Sequence, residues 1–305
     1  FYFFLNISLN SQSRIGDWRS YPSSIDIRTS IVEEKKIISA TSGGILIFDQ
    51  DSSSFKQITN IDGLVETDLN SIAIDMNGHI WVGSNSPNGI IQIYDYKDLK
   101  SIKVFDFQIW EISSISISDS VAFVSYSNDG EWGILEFFLD EKNVYNYRQI
   151  YNPSENQLEF ISDIEILNNE LYVATNIGLF KGNFNDFILN YPNNWTSELS
   201  DKIIRKIIYK NDEINFISHN EIFSFDEMGD ITKNNFSYEN ISIIDFTIDF
   251  NGTIYLISKW KLYELNQSGV ITKSWPIMHE PNSIIEFDSE NLVISSKSGL
   301  GVFNK

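Results

Sequence analysis

The chain contains no cysteine among its 305 residues. That excludes disulfides, thiol nucleophiles and thiolate metal sites, and leaves the compartment open. Basic side chains are scarce: 22 Lys and Arg stand against 42 Asp and Glu, a formal net charge of −20. Such a surface repels phosphate backbones and anionic headgroups, which argues against nucleic acid and peripheral membrane as partners. Cations, basic proteins and neutral sugars suit it. Histidine occurs only at His79, His219 and His279, with no pair at metal-ligand spacing and no His-Glu-x-x-His. Gly-x-Ser-x-Gly, P-loop and Gly-x-Gly-x-x-Gly patterns are absent. No catalytic set, metal site or cofactor is therefore predicted. Helical periodicity is also missing over any useful length.

What is present is β structure in repeats. Aromatic residues form 14% of the chain, and isoleucine is abundant, as suits packed sheets. Residues 73–84 and 247–258 match closely, sharing Ile-Asp-x-Asn-Gly between two apolar runs. Each reads as strand, tight Asn-Gly turn of type I′, strand. Taking Ser84 as the end of the second strand, equivalent positions are Thr41, Ser125, Thr175, Ser218, Ser258 and Ser296. Their spacing is that of a four-stranded propeller blade. A third strand follows each marker, as in residues 44–49, 89–95 and 299–304. More polar fourth strands follow at 54–59, 101–107, 143–150, 231–236 and 270–275. The expected fold is all-β: a seven-bladed β-propeller of four-stranded antiparallel blades. The seventh copy stops after its third strand, while residues 16–21 stand unpaired before the first inner strand (about 25–32). This N-terminal strand is expected to complete the last blade beside residues 299–303, which leaves no free inner edge.

The sequence begins at Phe1 rather than Met. Phe1-Tyr2-Phe3-Phe4-Leu5, followed by Ser11-Gln12-Ser13, reads as a signal-peptide remnant over 1–13. Residues 14–305 then form one propeller domain, exported to the periplasm or cell surface and monomeric in isolation, with room for further domains in the intact gene. Any ligand should meet the loops at the channel mouth. The candidates there are Asp129, Trp132, Trp195, His219, Trp260 and His279. Ser127-Asn128-Asp129-Gly130-Glu131-Trp132 is similar to the Asp-box of sialidase-type propellers but lacks the residue between Asp and Gly. It reads as an enlarged loop with Trp132 partly packed.

Residues 60–64 (Asn-Ile-Asp-Gly-Leu), 69–72 and Ile80-Trp81-Val82-Gly83-Ser84 resemble the two-component-regulator propeller repeat. A wider resemblance runs through Ile15-Gly16-Asp17-Trp18-Arg19-Ser20-Tyr21, Gly43-Gly44-Ile45-Leu46-Ile47-Phe48-Asp49 and Asp62-Gly63-Leu64. It looks like the N-terminal propeller of PorZ-type components of the type IX secretion system of Bacteroidetes. This resemblance implies a non-enzymatic interaction domain in secretion or cell-surface attachment. Its partners would be envelope proteins of a secretion or attachment complex, or a glycan or lipopolysaccharide. Two alternatives stay open: a periplasmic glycan-sensing propeller of a hybrid two-component regulator, and a propeller lyase or glycosidase.

Overall fold

The computed structural model describes residues 23–141, 144–154, 158–185, 189–200, 202–210, 213–225 and 236–305. It forms a seven-bladed β-propeller in which every sheet is antiparallel and follows chain order. Blade 1 consists of strands Ile27–Glu33, Lys36–Thr41, Gly44–Asp49 and Ser54–Ile58. The inner strands of blades 2 to 7 are Leu69–Ile74, Glu111–Ser118, Ile161–Leu167, Lys206–Lys210, Asp245–Ile248 and Pro281–Glu286. Six sheets have four strands, and among the described residues the seventh has three, ending with Gly299–Asn304. The closing strand expected at 16–21 lies outside the described residues, as do the signal remnant and most of the outer strand expected at 231–236.

The apolar face of each sheet can be buried only against its neighbours, and the core divides accordingly. Seven apolar clusters occupy the seven junctions between adjacent blades. Between blades 2 and 3, Trp81 stands edge-on to Tyr145 with ring centroids 4.7 Å apart. The last junction joins blade 7 to blade 1 through Ile37, Phe287 and Val293. The disc is thus closed by packing. Gly83 permits the close approach at the second junction, since a Cβ there would lie 2.2 Å from Ile112 Cγ2.

The hydroxyl markers have a structural cause. Thr41, Thr175 and Ser296 each donate from the side-chain hydroxyl, 2.8 Å to the carbonyls of Gly44, Gly178 and Gly299. The same oxygens accept the N–H two residues on, from Gly43, Ile177 and Ser298. One small hydroxyl therefore closes the turn between second and third strands, a local side-chain-to-backbone device.

Two kinds of turn differ from expectation. The Asn-Gly turns are three-residue turns, with Gly78 (φ 75°) and Gly252 (φ 78°) in the left-handed region. The preceding aspartate determines this. Asp75 Oδ1 accepts the N–H groups of Asn77 (2.9 Å) and His79 (3.0 Å), and Asp249 Oδ1 those of Asn251 and Thr253 (both 2.9 Å). Conversely, the enlarged loop expected at 127–132 is a two-residue turn. Asn128 pairs with Glu131 across Asp129 (φ 49°) and Gly130 (φ 84°), the geometry of type I′.

The blades are also stitched together at the centre. Five inner strands carry a one-residue irregularity near their start, at Arg28, Asn70, Ser113, Ser162 and Asn282. A bulge re-aims its side chain out of the sheet. Arg28 donates to the carbonyl of Leu69 (2.8 Å), Asn70 to Ile112 (3.1 Å), Ser162 to Ile204 (2.7 Å) and Asn282 to Ile27 (2.8 Å). Each acceptor belongs to the next blade, and the last returns to the first. Asn282→Ala would leave the Ile27 carbonyl without this donor, a loss of about 1–3 kcal/mol. Thermal unfolding should begin several degrees below wild type; an unchanged melting temperature would remove this contact from the closure of the ring.

Candidate functional site

Because successive strands alternate in direction, two sets of connections share one face of the disc. These are the links from each outer strand to the next inner strand, and the hairpins between second and third strands. This is called the upper face. From it the seven inner strands enclose a central cavity of about 580 Å³.

Immediately after the bulge position, each inner strand offers one residue at the same level: Thr29, Ser71, Ser114, Asp163, Lys206, Asp245 and Ser283. Four blades supply hydroxyls, and the sector of blades 4 to 6 is charged. Asp163 accepts Ser114 Oγ (2.7 Å) from blade 3 and the Ile207 N–H (3.1 Å) from blade 5. Lys206 Nζ lies 3.2 Å from Asp163 Oδ2. Asp245 repeats the pattern, accepting the N–H of Ile284 in blade 7 and that of Phe246, both at 2.9 Å. One pleat deeper lies Glu165, also lining the cavity.

Electrostatics follow from this enclosure. The Asp163 carboxylate holds the Lys206 ammonium well above the ordinary lysine range. Burial pushes Asp245 up to about 6, against the opposing pull of Lys206. Burial, with the neighbouring Asp163 charge, pushes Glu165 up to about 8. The sector therefore combines a fixed cation, a hydrogen-bonded carboxylate and carboxyls that exchange protons near neutrality. Such groups can recognise a polar ligand or move a proton. Below the cavity, Lys305 joins Glu286 (2.9 Å) and Asp249 (3.5 Å), and Lys210 joins Glu286 (3.0 Å).

Of the six residues chosen from the sequence, four lie on the upper face. Asp129 is exposed in the blade 3 turn. His219 is exposed with φ 51°, and its carbonyl accepts the Ile243 N–H (3.0 Å). Trp260 is exposed, with the Lys259 ammonium 5.6 Å from its ring centre. His279 is exposed on the link to blade 7, and the Ile277 N–H bonds to the Trp260 carbonyl (2.9 Å), bringing that link to Trp260. These four are spread over several blades rather than gathered into one site. Trp132 is half-buried against the core between blades 3 and 4. Trp195 departs from its expected place: it follows the third strand of blade 4, on the lower side, and is buried. Its Nε1 donates to the Leu189 carbonyl (2.9 Å), and its ring meets Tyr151 edge-on. It is a core residue.

The charged sector was not foreseen, because Asp163, Glu165, Lys206 and Asp245 are ordinary polar letters in strands of mixed composition. Asp163, Lys206 and Asp245 share one offset from the apolar residues Ile161, Ile204 and Ile243, and that is the signal that links these three. Trp110 was missed as well. It is half exposed on the one-residue link between blades 2 and 3.

No family model and no curated protein matches this sequence. Solved structures do match its fold. The extracellular domain of the putative one component system BT4673 from B. thetaiotaomicron superposes with a TM-score of 0.68 at 15% identity, over 92% of this chain and 39% of that chain. PorZ, described as an essential bacterial surface component of the type-IX secretion system of Porphyromonas gingivalis, superposes with a TM-score of 0.67 at 15% identity, over 94% and 38%. Virginiamycin B lyase from Staphylococcus aureus gives 0.68 at 15% identity, over 92% and 94%. The chain spans about two fifths of the first two proteins. At these identities the likeness is one of fold, and this fold serves surface components, extracellular domains and enzymes.

The raised Glu165 carboxyl makes stability depend on pH. A carboxyl that binds its proton more tightly when folded stabilises fully below its unfolded value of about 4.5. That contribution is lost as pH rises through about 8. Glu165→Gln should therefore gain on wild type in melting temperature steadily between those limits. Melting followed by circular dichroism from pH 4 to 9 checks this; parallel curves would refute it.

Proposed function

We propose that this chain is a non-enzymatic, exported interaction domain of PorZ type, which docks an envelope protein of a secretion or attachment complex on its upper face. One observation carries the reading. Large apolar side chains stand exposed around that face, among them Ile61, Val65, Trp110, Ile203, Trp260 and Met278. They come from four of the links between blades and from one hairpin tip. Apolar side chains spread through the loops of one face are what a protein interface uses as anchors.

The channel chemistry supports binding over turnover. Asp163 and Asp245 accept backbone N–H groups of the following blades and hold the ring together, so neither is free to swing toward a substrate. Among the described residues no helix is long and apolar enough to cross a membrane. An exported propeller agrees with the settings named for the PorZ and BT4673 structures.

A second reading has its own support. Trp110 and Trp260, both about half exposed on the same face, offer flat surfaces on which a sugar ring can stack, as a glycan-sensing propeller would need. The two readings separate in one experiment. The tagged domain should capture a secretion or attachment component from envelope extracts of the organism that encodes it. Capture by a Trp260→Ala, Met278→Ala variant should fall about tenfold or more. Recovery of no envelope protein, together with glycan binding that depends on Trp260, would transfer the assignment to the sensor.

A further inference from the structure

The upper face is electrically lopsided. Over blades 1 to 3 its links and hairpin tips are residues 23–28, 42–43, 59–68, 85–88, 109–113 and 128–131. These hold seven carboxylates against one cation, Arg28. Arg28 is itself occupied, by Asp68 at 2.6 Å and Asp26 at 3.7 Å. Over blades 4 to 7 the described residues of the same face carry Lys202, Arg205, Lys259 and Lys297 beside Glu159, Glu239 and Glu280, so charge there is nearly balanced. A partner that covers this face must therefore match a negative half, and the net charge of −20 adds a long-range pull on any basic surface.

Within the negative half, at the upper edge of blade 2, a cavity of about 490 Å³ is lined by Glu66, Pro87, Ile90, Asp106, Ile109 and Trp110. Its walls combine two kinds of surface. The half-exposed Trp110 indole, Pro87 and the two isoleucines can cover a hydrocarbon stem. Glu66 and Asp106 supply negative charge at the rim. Each carboxylate uses one oxygen internally, Glu66 Oε1 with Asn88 Nδ2 (3.3 Å) and Asp106 Oδ1 with the Gln108 N–H (2.9 Å). The frame is fixed: the Trp110 N–H bonds to the Ser127 carbonyl (3.1 Å), tying the tryptophan backbone to blade 3.

We propose that this cavity receives a lysine or arginine side chain from a basic loop of the docked protein. Its cation would lie over the Trp110 ring, between the carboxylates of Glu66 and Asp106. A long apolar stem ending in a cation is the chemistry that an aromatic wall with an acidic rim selects. A bare metal ion would have no use for the indole, and a neutral sugar, though it could stack there and hydrogen-bond the carboxylates, would leave both charges uncompensated. The proposal rests on the docking role of the upper face and adds the nature of the anchoring side chain.

The test uses the full chain and a fluorescein-labelled peptide of alternating arginine and glycine, followed by anisotropy at two salt concentrations. Trp110→Ala should weaken binding about tenfold, and Trp110→Phe, which keeps an aromatic face, should recover most of it. Glu66→Gln with Asp106→Asn should weaken binding and flatten its salt dependence. Glu34→Gln with Asp98→Asn, two exposed carboxylates of the opposite face, should change neither. Circular dichroism confirms that each variant is folded. Equal weakening by the opposite-face pair, or unchanged binding by folded Trp110→Ala, overturns the cavity as the site. The outcome is separable from the envelope role. Partner capture without a Trp110 effect on the peptide removes the cavity alone, while a Trp110-dependent peptide site without envelope capture removes the role alone.

Discussion

The ring depends on side chains that leave their own sheet. A sheet satisfies its backbone groups from neighbouring strands, but an inner strand at the channel has a neighbour on one side only. Its other edge faces the next blade at a distance no strand pairing can span. A one-residue bulge solves this by turning one donor outward, so that Arg28, Asn70, Ser162 and Asn282 each reach a carbonyl one blade further on. The demand is only for an N–H or O–H of suitable reach. Arginine, asparagine and serine meet it equally, which lets the blades diverge in sequence while keeping one geometry.

Blades 3, 5 and 6 lack such a donor in the described contacts; the equivalent residues are Ser113, which bonds Ser125 in its own blade, Arg205 and Ile244. Carboxylates one residue further on serve the same sector. Asp163 takes an N–H from blade 5 and Asp245 one from blade 7. Two buried carboxylates need a cation, and Lys206 stands at the same level in the blade between theirs. The charged sector of the channel is thus first a means of assembly. The upper face carries exposed aromatic and apolar groups, and the proposed docking role rests on these.

Much of the architecture was readable because its signals are local. Thr41, Thr175 and Ser296 close their turns with a single hydroxyl, so the same small residues recur at blade spacing. The shared aspartates at 75 and 249 likewise mark equivalent hairpins, though their carboxylates select a three-residue turn where Asn-Gly alone suggests two. What escaped was whatever depends on neighbours distant in sequence. Bulges add one residue and have no composition of their own. Trp110 sits in a link so short that strands Lys100–Ile109 and Glu111–Ser118 read as nearly continuous. Trp195 looks like a loop tryptophan until Leu189 and Tyr151 are seen to enclose it.

The hydroxyl-closed turns also bear on how such a molecule comes to be made. Most strand pairs join residues fewer than about twenty positions apart, and such short loops form early and fast. A blade can therefore take shape as it leaves a ribosome or a translocation pore, with its successor docking onto a surface already built. Only a few bonds wait for the far end of the polypeptide. Ser30 with Ser295, at 2.8 Å, and Asn282 with Ile27 couple positions more than 250 residues apart. Until those form, the molecule is an unfinished arc with one apolar flank bare at each end, and that interval is when it is most exposed to aggregation.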